Sequence, residues 1–262
     1  MELTFDFSMV RSWVGAVALS VPRLLMLFLV VPFLSGSMIP GLARNGVVLT
    51  FALFVAPMIV DTVPPLTLVS WGLALKEALV GLLLGLGFGI FIWAIQSVGD
   101  LVDFMTGSSN AAFFDPAAGH ENGPTGEFLS WLTIALFVAS GGLQAMFAAV
   151  LDSYTLWPVG AWMPELGNIL EGFAVRQGDT LFQWIVKLGA PVLLILLLVE
   201  IGLGLVGREA QQLNVFFAAQ PVKSLIAAFM MLLWLQFVFD SLRGFLLPEN
   251  GVLEFLRSAM GK

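Results

Sequence analysis

Apolar residues along this chain gather into six stretches, residues 13–34, 46–60, 68–95, 128–151, 182–206 and 224–239, each continuous rather than alternating. A helix needs roughly 20 such residues to span the ~30 Å hydrocarbon core of a bilayer, and several of the stretches approach that length. The second and sixth are shorter, which suits tilted, re-entrant or assembly-buried segments. Continuous apolarity argues against a membrane β-barrel, whose strands must alternate between lipid and lumen. The pattern predicts an all-α integral membrane protein of six helices in one membrane domain, residues 1–262. Residues 1–127 carry helices 1–3 and a long polar loop, and residues 128–262 carry helices 4–6.

Prolines at positions 22, 32, 57 and 191 fall inside or at the ends of the apolar stretches. Each removes a backbone donor, so the helices are expected to kink or break there. Broken helices at membrane depth need protein or water to cover the freed backbone groups, which favours an assembly over a solitary bundle. Two connections exceed what a bundle requires. Residues 96–127 hold Asp100, Asp103, Asp115, Glu121 and Glu127 without a Lys or Arg, and their Gly, Ser, Asn and Pro concentrate in 107–126. Loops of this length are usually functional or disordered. Residues 152–181 mix Trp157, Pro158, Trp162 and Pro164 with four acids, and read as an interfacial segment with tryptophans at headgroup level.

Composition strengthens the membrane reading. Of 262 residues, 59% are hydrophobic and 11% charged, where soluble domains carry about 25% charged residues. The net charge of -7 is dispersed without a run of one sign, so neither a nucleic-acid arm nor a polybasic lipid patch is present. Cysteine is absent, which excludes disulfides, iron–sulfur clusters, thiolate zinc sites and cysteine nucleophiles. Glu2, Asp6 and Arg11 precede the first apolar stretch, unlike the short basic start of a cleaved signal peptide, so the first helix is expected to be retained. With a cytoplasmic N-terminus, Arg11, Arg176, Arg243, Arg257 and Lys262 lie inside and Arg44, Arg208 and Lys223 opposite, a bias too small to fix orientation.

Catalytic groups are scarce. The single histidine, His120, sits in the polar loop beside Glu121 and Asn122, away from any apolar helix where an intramembrane protease would place its base. The loop acids lack the spacing of a calcium loop, and no metal or cofactor is expected. Gly81, Gly85 and Gly89 recur every four residues, giving the third helix a smooth face for close packing, either within the chain or against another subunit. Arg23, Lys76, Glu77, Lys187 and Glu200 lie within or at the edge of apolar stretches, where a charge costs a few kcal/mol unless paired or wet. Lys76 and Glu77 stand about 100° apart on a helix, so at least one should turn to another helix or subunit. Asp240 and Arg243, at i,i+3, are expected to satisfy each other. These buried charges allow structural pairing or, alternatively, a secondary transporter or ion channel using Lys76, Glu77 or Glu200. The two halves of the chain show no matched repeat of the kind such transporters display.

Three blocks together resemble the export-apparatus subunit T family of type III secretion systems, whose flagellar counterpart is FliR. The first runs from Arg23 through Pro32-Phe33, Pro40 and Arg44 to Pro57, and the second from Glu77 through Gly81, Gly85, Gly99 and Gly107 to Asp115-Pro116. The third and most distinctive is Gln212-Leu213-Asn214-Val215-Phe216 followed by Pro221-Val222-Lys223-Ser224. Ala210-Gln211 replaces a proline that many flagellar members carry before this block, a departure that tilts towards the injectisome branch. The resemblance implies a single T subunit joined to about five R subunits and several S subunits, and to subunit U. Their helical hairpins build a spiral core at the entrance of a channel for unfolded polypeptides. It implies a multi-pass protein of the bacterial inner membrane, with the core displaced towards the periplasm. It also suggests a movable plug in residues 107–126. Gly107, Ser108, Ser109 and Asn110 would give backbone freedom, Phe113 and Phe114 the bulk to fill a constriction, and Asp115-Pro116 a stiff exit. A plain flexible connector is the alternative.

Overall fold

The computed structural model of the chain describes residues 7–35, 39–64, 69–108, 123–162, 166–209 and 215–245. Among these the chain is helical and contains no strand: α1 (Phe7–Val30), a 3-10 turn (Pro32–Leu34), α2 (Gly41–Ile59), α3 (Val69–Thr106), α4 (Pro124–Ala139), α5 (Gly142–Leu156), α6 (Leu166–Glu209) and α7 (Val215–Phe245). Five of these helices are long and apolar enough to cross a membrane, and the broken pair α4 and α5 makes a sixth candidate.

The helices outrun their apolar stretches. α3 has 38 residues and α6 has 44, about 57 and 66 Å at ~1.5 Å per residue, roughly twice the ~30 Å of a hydrocarbon core. Residues 96–106, expected in the polar loop, continue α3, because Val98, Val102 and Asp103 still face a packed interior. Of the interfacial connection 152–181, only the segment around 157–162 is non-helical among its described residues; the rest belongs to α5 and α6. Pro22, Pro57 and Pro191 lie inside continuous helices. Only Pro32 coincides with a helix end, where Val31 takes an extended conformation (φ -66°, ψ 123°) of the kind proline imposes on the residue before it.

The apolar stretch 128–151 is not one helix. α4 stops at Ser140, and Gly141 takes φ +83°, a left-handed conformation that glycine adopts without a side-chain clash. The chain bends there by 70°. α3 closes just as specifically. Gly107 takes φ +81°, its amide donates to the Phe104 carbonyl at 3.2 Å, and the Ser108 amide donates to the Asp103 carbonyl at 2.9 Å. This bond pair is the Schellman arrangement that satisfies the last carbonyls of a helix.

The chain forms two compact units, each assembled from separated segments. The first holds the described residues of 1–89 and 141–177, and the second those of 90–140 and 178–246. The first is centred on Leu24, Leu27, Phe28, Val48, Ala52 and Leu84, with Phe51 stacked on Phe147 at 4.5 Å between ring centroids. In the second, Phe91 meets Trp184 edge-on and stacks on Phe245, both at 5.2 Å. Trp234 satisfies its indole N–H on the Leu188 carbonyl at 2.7 Å. Large apolar side chains on α6 (Leu194, Leu198, Ile201) and α7 (Leu225, Phe229, Leu232) remain exposed.

Candidate functional site

The first unit buries a charged cluster, and the glycine face of α3 makes it possible. A Cβ on Gly81 would collide with the Arg23 carbonyl oxygen and lie 2.8 Å from its carbon, and one on Gly85 would come within 2.9 Å of Val30 Cβ and 3.4 Å of Leu27 Cα. The smooth face of α3 therefore seats α1 of the same chain backbone to backbone. That approach brings Arg23 and Glu77, both fully buried, into contact: Nε to Oε2 is 2.6 Å.

Lys76 joins them, with Nζ 2.7 Å from Glu77 Oε1. The 100° between adjacent helix positions separates the two Cβ atoms, but a four-carbon stem lets the ammonium swing back over its neighbour. Glu77 at the same time reaches Arg23 on another helix, α1, so one carboxylate meets both cations. Two cations and one carboxylate leave the cluster with a formal charge of +1, and neutral oxygens complete the shell. Arg23 Nη1 donates to Ser153 Oγ at 2.9 Å, Nη2 donates to the Trp157 carbonyl at 3.1 Å, and the guanidinium lies 3.9 Å over the Tyr154 ring. Lys76 Nζ donates to the carbonyls of Pro158, Val159 and Ala161 at 2.9, 2.9 and 3.0 Å. An ammonium has three protons, and the carbonyls take all three. Its contact with Glu77 is thus one of charge, and neither Glu77 oxygen receives an aligned hydrogen bond.

The segment that supplies these carbonyls is held from every side. Trp162 lays its ring on Gly72, where a Cβ would lie 3.3 Å from Cζ3. Gly160 faces the Thr62 carbonyl beyond α2, so closely that a Cβ there would clash. The turn from α5 towards α6 is consequently fixed by α1, α3 and the end of α2, with charged side chains bonding its backbone.

The second unit holds the base of the long polar loop. α4 starts at Gly123-Pro124 with no side-chain cap of its own. The cap comes from α3: Asp103 Oδ2 accepts the Thr125 amide at 2.8 Å and the Gly126 amide at 3.1 Å. Gly99 and Gly126 let the two helices touch, since a Cβ on Gly99 would sit 2.8 Å from the Gly126 nitrogen. Asp100, one helical turn before Asp103, lies there too, since a Cβ on Gly126 would sit 2.8 Å from its Cγ, so two carboxylates face the positive end of α4.

Of the other expected positions, Glu200 is about half exposed, 3.6 Å from Lys223. Lys187 lies 4.7 Å over Trp184 and Arg243 4.2 Å over Phe239. Arg243 therefore uses the ring one turn back instead of the expected Asp240, whose side chain is exposed. Gly89 is buried in α3. Of the suggested plug, Gly107 and Ser108 form the C-cap of α3, while Ser109, Asn110, Phe113, Phe114, Asp115 and Pro116 lie outside the described residues. Asn214 lies outside them too, Val215 and Phe216 open α7, and Pro221 follows within it. The sequence reading missed Ser153, Tyr154 and the carbonyls of residues 157–161, because backbone acceptors leave no mark in a sequence. It also missed Asp103 as a cap, although an uncapped Gly123-Pro124 helix start was a signal that a donor-seeking side chain lay elsewhere.

The comparisons agree with the resemblance read from the sequence. A family model described as bacterial export proteins, family 1, matches residues 14–247. The chain is 33% identical over 220 residues to the Yop proteins translocation protein T of Yersinia pestis, covering 82% of this chain and 84% of that protein. It is 32% identical over 223 residues to the surface presentation of antigens protein SpaR of Salmonella typhimurium (84% and 83% covered). With the flagellar biosynthetic protein FliR of Bacillus subtilis it shares 29% over 229 residues (84% and 86% covered). A match spanning nearly the whole helical chain places it, as the Arg23, Glu77 and Asn214 blocks suggested: the chain belongs to the bacterial export proteins, family 1, the type III secretion subunit T and FliR family.

Proposed function

We propose that this chain is the T subunit of a type III export gate, a non-enzymatic part of the entrance of a protein-conducting channel in the bacterial inner membrane. Membership of the export family carries the reading. In it, one copy joins about five R subunits and several S subunits, contacts subunit U and membrane lipid, and passes unfolded polypeptides, with no role for nucleic acid. The whole chain, residues 1–262, acts as one multi-pass membrane domain. Helices nearly twice as long as a bilayer core is thick fit a core displaced towards the periplasm. The exposed apolar residues of α6 and α7 offer surface to neighbouring helices or lipid.

The buried charges fit a structural role better than ion coupling. Both Glu77 oxygens are engaged by cations of the same chain, and Glu200 looks outward, so no observation favours the transporter alternative. Residues 107–126 are proposed as the plug, hung from a base formed by Asp103 and α4. Gentle detergent extraction followed by mass measurement tests the assignment. Recovery of one copy with several copies of two other small membrane proteins is expected; a homogeneous monomer or homodimer would refute it.

A further inference from the structure

Lys76 is surrounded in a way that an ordinary ion pair does not require. Its Nζ has four oxygens about it, Glu77 Oε1 at 2.7 Å and the carbonyls of Pro158, Val159 and Ala161 at 2.9, 2.9 and 3.0 Å. Three of the four are backbone carbonyls on consecutive or nearly consecutive residues, turned inward together. Carbonyls aimed at one point repel one another, and they stay so aimed only when a cation neutralises them. The same turn presents the Trp157 carbonyl to Arg23. The segment has few means of holding itself: its one internal backbone bond is Ala161 N–H to the Pro158 carbonyl at 3.1 Å. Its path from α5 is thus set from outside, by the charges of Lys76 and Arg23 together with the contacts of Trp162 and Gly160.

We propose that Lys76 is a tethered structural cation, and that the four oxygens its Nζ occupies would, once the amine is removed, accept a free monovalent cation of ammonium or potassium size in its place. The separations are those of an ammonium hydrogen-bonded to oxygen, and an ion replacing it with the oxygens in place must match them. Calcium binds oxygen at 2.3–2.6 Å and magnesium at 2.0–2.1 Å, so a cage of 2.7–3.0 Å is too wide for either. Rings of carbonyls that replace the hydration shell of a larger monovalent ion are a known solution in channels. Charge agrees as well. Removing the amine leaves Arg23 and Glu77 as a neutral pair, and one monovalent cation restores the +1 that the cluster holds with Lys76 in place. The amine acts by position and charge, with no proton leaving or arriving, and this role does not depend on the chain's place in an export gate.

Chemical rescue tests it on the full chain in detergent. Lys76→Ala keeps Cβ and deletes three methylenes and the ammonium, which together are n-propylammonium. In choline chloride the variant should unfold on the order of 10 °C below the unaltered chain. Millimolar n-propylammonium or ammonium, and higher potassium, should recover at least half of that loss, while tetramethylammonium and lithium should not. Lys76→Arg should remain low in every salt, since a planar fork cannot aim three protons at three carbonyls. The unaltered chain should show no preference among these cations. An unfolding temperature for Lys76→Ala equal to that of the unaltered chain would overturn the proposal. So would equal recovery in all cations, or a variant that stays unfolded even when extracted and purified in n-propylammonium. Full stability of Lys76→Arg would also count against it, by showing that charge suffices without the cage.

Discussion

At the scale of single residues, the arithmetic of charge decides what matters in the first unit. Arg23, Lys76 and Glu77 sum to +1 in a site where all three are almost wholly buried. Glu77→Gln raises the charge to +2 and sets two cations side by side, whereas Arg23→Met lowers it to zero and leaves a Lys76–Glu77 pair. Breaking a buried pair by removing one partner typically costs about 3–5 kcal/mol, because the other charge is left uncompensated. Glu77→Gln should therefore destabilise by that order, and Arg23→Met by less. The double variant should be more stable than Glu77→Gln alone, with a coupling above ~1 kcal/mol in a double-mutant cycle followed by thermal unfolding. Strict additivity would mean that the contact of 2.6 Å has no energetic content. A different result would reassign the residue altogether: Glu77→Gln that assembles and unfolds like the unaltered chain yet exports nothing would point to coupling.

At the scale of elements, glycines separate into those that seat another backbone and those that face open space. Gly81 meets the Arg23 backbone, and Gly85 meets Val30 and Leu27. A Cβ built on Gly202 or Gly204 of α6 meets nothing within 4 Å. Gly81→Ala should force α1 and α3 apart and destabilise by roughly 1–3 kcal/mol. Gly202→Ala, by contrast, should stabilise the isolated chain by about 0.5–1 kcal/mol, since alanine loses less backbone entropy in a helix. Unfolding both purified variants checks the contrast, and equal effects would refute it. This level of organisation was partly legible in the sequence. The four-residue spacing of Gly81, Gly85 and Gly89 announced a close helix contact, but spacing cannot name the partner, and both a helix of this chain and another subunit were open. Prolines were read as kinks or breaks, and at Pro22, Pro57 and Pro191 the helix runs on without a break. The true break at Gly141 was hidden inside an apolar run. Its cause is a left-handed backbone angle, which a Ser-Gly-Gly sequence permits without demanding. Helix lengths were underestimated for a related reason: apolar runs mark what faces lipid or core, while residues 96–106 of α3 carry polar side chains that cap and pack.

At the scale of the molecule, the second unit anchors both described ends of the long loop. The loop leaves α3 through the Gly107 cap and re-enters at α4, whose first amides are held by Asp103. Both described ends are secured by residues of the helices themselves. Shortening the loop between those ends is expected to spare the Gly107 cap and the Asp103 bonds. A plug needs this division of labour, because its base must persist while its tip is displaced. The absence of Lys and Arg between residues 96 and 127 would also suit the proposed channel lining, since strongly pairing charges would trap varied polypeptides. Deleting residues 109–114 removes Phe113 and Phe114 and spares Gly107 and Ser108, so α3 retains its C-cap. In an assembled complex this deletion should leave subunit yield within about twofold of the unaltered level and raise the leak of small ions or small metabolites across the membrane, while export persists. Asp103→Ala, which loosens the base at a cost of about 0.5–2 kcal/mol through the lost cap, should leak to a lesser degree with Phe113 and Phe114 still present. If the deleted channel leaks no more than the unaltered one while secretion continues, the loop is a connector, and the seal must be formed by another part of the assembly.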